Sequence, residues 1–267
     1  MAVLFVHGVP ATSRLWREVI RLVDRDDEVL AVDLPGMAEP EPEGWVPDKD
    51  NYVNWLIGQI EAMVERNGGP IHLVGHDWGC LLTLRAASLR PELLRSVAAG
   101  NAPIDPHWPL HAWWDAWNTP GVGEEVMKQV FQPNVVPVMT ALGFPADDAA
   151  CCGFATEHGH RNILGLYRSA PNIGHEWAED LARIVIPSML IWGNRDLIVP
   201  VEIGRRMATR MGAEMVELDS DHFWPYRRPA EAANALRRLW ARSESAPATI
   251  LTQTAEGLDG ILANISR

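Results

Sequence analysis

The stretch Ile71-His72-Leu73-Val74-Gly75-His76-Asp77-Trp78-Gly79-Cys80 constrains this chain more than any other. A mostly apolar run, 71–74, meets Gly75-x-Asp77-x-Gly79, and a helical pattern with Leu81, Leu82, Leu84, Ala86 and Ala87 follows. That succession predicts a strand, a tight turn and a helix. Side chains flanking the central residue of so sharp a turn collide with neighbouring elements, so glycine stands on both sides. The central side chain, Asp77, is then pushed above the sheet. The next backbone N–H lies at a helix N-terminus, which suits an anion.

Aspartate at the apex decides the chemistry. A serine there attacks a carbonyl and makes an acyl-enzyme. A carboxylate doing the same makes a reactive anhydride, so it is better suited to a saturated carbon, where it displaces a leaving group and forms an alkyl ester. Water must then cleave that ester, and water needs a base. The turn therefore predicts a partner histidine and an acid to orient it.

The rest of the chain reads as alternating strands and helices. Strands are expected at 3–6, 28–33, 71–74, 94–99, 188–192 and 215–218. Helices are expected after Thr12 or Ser13, from Asp50 or Asn51 to Asn67-Gly68-Gly69, from the elbow to Arg90-Pro91, and at 200–211 and 230–240. Such alternation means a parallel sheet covered on both faces, with ligands at the carboxyl ends of the strands. The alternation lapses between Asn101 and Arg183, where Trp108, Trp113, Trp114, Trp117 and Trp177 crowd in. The expected organisation is an α/β core at 1–100 and 184–243, a helical cap at 101–183 inserted before the last two strands, and a linker and helix at 244–267. Leu258, Ile261, Leu262 and Ile265 share one face of that last helix, which is expected to pack on the body.

The partners of Asp77 fall just past strand ends. Asp196 follows the strand at 188–192 and His222 the strand at 215–218. The order is nucleophile, acid, base. His222 takes the proton from water, and Asp196 fixes its tautomer and stabilises the imidazolium.

With His7-Gly8-Val9-Pro10, Gly75-His76-Asp77-Trp78-Gly79, Gly193-Asn194-Arg195-Asp196 and His222 in place, residues 2 to about 242 resemble the α/β-hydrolase superfamily, in the branch of epoxide hydrolases and haloalkane dehalogenases. The resemblance implies that the loop carrying His7 and Pro10 faces the elbow and contributes to substrate binding, that a cis peptide precedes Pro10, and that the amides of Val9 and Trp78 form the oxyanion hole. Members of the branch usually carry two further strands before the one ending at His7, so one sheet edge is expected to be trimmed.

The leaving group separates the two activities. An alkoxide needs a proton or a strong hydrogen bond, and a halide needs only donors. Tyr167, in Leu164-Gly165-Leu166-Tyr167-Arg168-Ser169, resembles a ring-opening tyrosine of epoxide hydrolases. The second donor is expected near Trp113, with His111 and Trp114 close by. Trp78 is shared with dehalogenases, many of which place a halide-binding Asn where this chain has Val9. The first expectation is an epoxide hydrolase producing a vicinal diol, with haloalkane dehalogenase as the alternative on the same triad.

Composition supplies the limits. A length of 267 residues suits one large core with an insertion. A net charge of −12 opposes nucleic acid and anionic membrane as partners. Met1 to Val6 has no basic leader, no apolar run reaches membrane-spanning length, and Cys80, Cys151 and Cys152 read as free thiols. The expectation is a cytoplasmic enzyme, possible as a homodimer, acting on a small apolar substrate with no cofactor and no metal.

Overall fold

Six short apolar runs become six parallel strands in the computed structural model, which describes residues 2–25, 27–108, 111 and 113–245. They are β1 (Val3–Val6), β2 (Val29–Val32), β3 (Ile71–His76), β4 (Leu94–Gly100), β5 (Ser188–Gly193) and β6 (Glu214–Leu218). Their order is β2-β1-β3-β4-β5-β6, each neighbouring pair parallel. The chain leaves β1 towards one edge and returns to the other side of it with β3. The crevice between the carboxyl ends of β1 and β3 is therefore the switch point where such sheets bind ligands. The loop after β1 and the elbow after β3 meet there.

The helices fall where right-handed crossovers place them. Arg17–Val23 and Pro229–Ser245 pack together, and so do Lys49–Asn67 and Trp78–Leu89. Helix 49–67 starts slightly before its expected position. Asp48 is its N-cap and accepts from the amides of Asp50 (3.0 Å) and Asn51 (2.9 Å). Gly68, at φ 72°, ends it in the left-handed conformation.

Between β4 and β5 the described residues form helices and no strand, among them Trp114–Asn118, Gln132–Ala141 and Glu157–Ser169. Two buried polar hubs fasten this insertion to the sheet domain. Asp148 accepts from Arg14 (3.4 Å), Arg17 (3.1 Å) and the Tyr226 hydroxyl (3.1 Å). Asn162 uses both ends of its amide: Oδ1 accepts from Tyr52 Oη (2.8 Å) and Trp45 Nε1 (3.1 Å), and Nδ2 donates to Glu41 (3.0 Å) and to the His158 carbonyl (2.9 Å).

The C-terminal boundary needs correction. Composition places a linker from 244 onwards, but the last helix runs unbroken to Ser245. The Ser243 and Ser245 hydroxyls donate back to the carbonyls of Trp240 (2.9 Å) and Arg242 (3.0 Å), which lets serine persist within a helix. Glu244 is no linker residue either: it accepts from Arg25 (2.8 Å) and lies 3.3 Å from His72. The face carrying Leu258, Ile261, Leu262 and Ile265 lies outside the described residues. No helix among the described residues is long and apolar enough to cross a membrane.

Candidate active site

Asp77 sits between β3 and helix Trp78–Leu89 with φ 53° and ψ −127°, a region that side-chain-bearing residues rarely occupy. The contacts around it explain why the backbone is held there. A Cβ on Gly79 would lie 2.3 Å from the Val6 carbonyl oxygen, and one on Gly8 would lie 2.2 Å from Asp77 Oδ1 and 2.5 Å from the Trp78 nitrogen. The β1 loop and the elbow thus approach at backbone distance. That approach lets the Val9 amide donate to Asp77 Oδ1 at 2.7 Å. The Val9–Pro10 bond is cis.

The three residues picked from strand ends converge. His222 Nδ1 donates to Asp196 Oδ2 at 2.7 Å, and its Nε2 lies 3.5 Å from Asp77 Oδ2. Burial pushes the His222 imidazole down, but the Asp196 charge and hydrogen bond, followed by Asp77, outweigh it and carry the group up to about 10. In the resting site it is an imidazolium between two carboxylates. Asp196 is itself enclosed. Burial raises its carboxyl, yet the His222 charge and hydrogen bonds from His222, Asn101 and Val199 hold it below the usual carboxylate range. Its Oδ1 accepts from the amides of Ile198 (2.7 Å) and Val199 (3.1 Å).

Asn101 is a site residue that the motifs did not reveal. Its Nδ2 donates to Asp196 Oδ2 at 2.5 Å and its Oδ1 accepts from the Gly193 amide at 3.2 Å. It is buried and sits at φ 56°, a conformation asparagine tolerates better than most residues. An Asn just past a strand end was the available signal.

Two cavities open over Asp77 and share it with His111, Tyr167 and Ile198. The smaller, about 30 Å³, is also lined by Trp78, Trp108 and Trp114. The larger, about 350 Å³, is mostly apolar, with Val9, Pro10, Trp113, Trp117, Phe131 and Leu142 among its walls. Trp113 is 42% exposed at its rim against Phe131. Tyr167 is buried among Trp78, His111, Trp114 and Trp117, with ring centroids 4.7–5.6 Å away. Burial drives its hydroxyl far above the phenol range; the Asp77 charge adds to this, and a hydrogen bond with Trp78 partly offsets it.

His111 Nδ1 accepts from the Trp113 amide at 3.2 Å, so the proton of the neutral ring is on Nε2, which is buried and has no partner among the described residues. Burial lowers the ring below the ordinary imidazole value and keeps it neutral. His7 differs from expectation. It lines neither cavity: its Nδ1 donates to the Gly8 carbonyl (2.7 Å) and its Nε2 accepts from the Leu34 amide (3.0 Å). It is fully buried and braces the β1 loop against the β2 loop. No group of three His, Cys, Asp or Glu side chains among the described residues is arranged to hold a metal ion.

A sequence model described as the alpha/beta hydrolase family matches residues 3–235. The chain belongs to the alpha/beta hydrolase family. A haloalkane dehalogenase of Bradyrhizobium diazoefficiens is 26% identical over 82% of each chain. The bifunctional epoxide hydrolase 2 of Rattus norvegicus is 22% identical over 91% of this chain and 52% of its own. Among solved structures, a putative ancestral haloalkane dehalogenase superposes with a TM-score of 0.75 at 24% identity, covering 92% of each chain, which speaks for the fold.

Proposed function

We propose that this hydrolase cleaves a carbon–halogen bond in a small apolar molecule through an ester on Asp77. The observation that carries the reading is His222 held between Asp77 and Asp196 beneath an apolar cavity. A carboxylate oxygen of Asp77 attacks the saturated carbon, and the bonding pair leaves with the halide. Esterification removes the Asp77 charge. His222 then loses one of the two carboxylates that hold it protonated, releases its proton to solvent and becomes a usable base. It takes a proton from water, the water oxygen adds to the ester carbonyl, and the amides of Val9 and Trp78 hold the oxyanion. Collapse releases the alcohol and restores the carboxylate.

The leaving atom would be received by the Tyr167 hydroxyl, which the Trp78 N–H supports, and by the Nε2–H of His111, which has no partner among the described residues. Burial and the Asp77 charge make Tyr167 hold its proton tightly, which suits donating to a halide better than delivering a proton to an alkoxide. The dehalogenase relatives support the same choice. Epoxide opening, the first expectation from sequence, becomes the second reading. It is favoured by one observation: a Tyr hydroxyl and a His N–H share the cavity with Asp77.

Side-by-side turnover of 1,2-dibromoethane and styrene oxide decides between the readings. Bromide without diol is the expected result. Diol without bromide would reverse the order.

A further inference from the structure

We propose that His76 is a positioning residue that hangs the catalytic base from the backbone of the nucleophile. Its Nε2 lies 2.8 Å from the main-chain carbonyl oxygen of His222. A carbonyl only accepts, so Nε2 carries the proton and donates. His76 is also the residue immediately before Asp77. One peptide bond and one hydrogen bond therefore connect the nucleophile to the backbone of the base.

The surroundings make this grip rigid. His76 is fully buried, with Trp16, Phe223 and Trp224 around it at ring-centroid distances of 5.6–6.5 Å and the His222 ring at 5.0 Å. A purely packing role would be filled by phenylalanine. Instead the site keeps an imidazole whose other nitrogen, Nδ1, is buried with no partner among the described residues. An orphaned acceptor costs stability, so the donor end must offset it. Burial, followed by the neighbouring His222 charge, holds His76 at about 4, with Asp77 and Asp196 pulling the other way. It therefore stays neutral beside the charged base and keeps Nδ1 bare. The titratable groups facing His222 are Asp77, Asp196, His76 and His111; among the described residues, His76 is the one whose side chain bonds its main-chain carbonyl.

The inference rests on the Asp77-ester reading for its kinetic arm alone. The consequence is asymmetric. Forming the ester needs Asp77, and cleaving it needs His222 in register. Three variants separate donor from filler. His76→Gln places an amide N–H near the former Nε2. His76→Asn has a shorter reach, and His76→Phe fills the space without donating.

The first readout is the His222 ring titration by NMR without substrate, its signal identified by its loss in His222→Gln. Wild type and His76→Gln should titrate together, and His76→Phe and His76→Asn should fall by about one pH unit or more as the Asp77 contact loosens. The second readout is bromide release from 1,2-dibromoethane in single and multiple turnovers. Phe and Asn should slow ester hydrolysis about tenfold or more, and leave ester formation within about threefold. A Phe variant with unchanged His222 titration, or a Gln variant that behaves like Phe, would overturn the proposal. A His222→Gln protein that gains no bromoethyl adduct, beside a wild type that releases bromide, would instead sink the ester reading, and the titration would still decide the role of His76.

Discussion

His222 Nε2 stands 3.5 Å from Asp77 Oδ2, while the opposite edge of the same ring is bonded to Asp196 at 2.7 Å. The ring is therefore already aimed at the oxygen that the proposed mechanism esterifies. Two steps that need different residues should be separable by mutation. Asp77→Asn should abolish turnover, because an amide is not a nucleophile towards saturated carbon. Full activity in that variant would contradict the mechanism.

The same contact makes stability depend on alkaline pH. The His222 value rises from about 6.5 unfolded to about 10 folded. Its contribution is fully present below the unfolded value and is lost as pH rises through about 10. The denaturation midpoint in urea should fall between pH 7 and 10.5, and by less in Asp196→Asn, where the main partner is gone. Equal losses in the two proteins would place the alkaline sensitivity elsewhere.

Asn101 acts on the base through Asp196. Asn101→Gly fits the left-handed backbone but removes both side-chain bonds, and Asn101→Ala removes them and adds roughly 1 kcal/mol of backbone strain. Both should lower kcat about tenfold or more, equivalent to about 1–3 kcal/mol for an unpaired buried group. Thermal unfolding should rank Gly above Ala. Wild-type kcat in the glycine variant would show that Asp196 Oδ2 needs no donor besides His222.

Gly8 tests the approach of the β1 loop to the elbow. An alanine methyl would lie 2.2 Å from Asp77 Oδ1, so the loop must retreat and withdraw the Val9 amide. Gly8→Ala should retain its circular dichroism spectrum and lose nearly all turnover. An active Gly8→Ala protein would show that this loop is not a tight part of the site.

Asp148 should hold the insertion to the sheet domain. Its carboxylate is nearly fully buried and receives three side chains from the sheet domain. Asp148→Ala should lower unfolding free energy by about 1–3 kcal/mol. The larger cavity, whose wall includes Leu142 a few residues away, should then bind apolar dyes less tightly. No change in either measurement would make the hub dispensable.

How much of this was readable beforehand depended on how local the signal was. The elbow is local: glycine spacing, the run before it and the pattern after it all lie within about twenty residues, and the strand and turn follow. The convergence of Asp77, Asp196 and His222 was legible because each follows a strand end. Asn101, Asp148 and His76 were not, because their bonds go to partners 95, 78–134 and 146 residues away in the chain. The resemblance places the loop of His7 at the elbow but does not show which way the His7 side chain turns, and it bonds Gly8 and Leu34 instead of lining a cavity. The helix end at Ser245 was missed because serine and glutamate look like linker until their bonds to Trp240, Arg242 and Arg25 are seen. Epoxide and halide remained close because both need donors over Asp77, and donors alone do not name the acceptor.

The central claim is an ester on Asp77, and intact-protein mass spectrometry of His222→Gln incubated with 1,2-dibromoethane tests it most directly. A bromoethyl adduct that maps to the peptide containing Asp77 and is absent from Asp77→Asn is the predicted result. An unmodified His222→Gln protein, alongside a wild type that releases bromide, would contradict it.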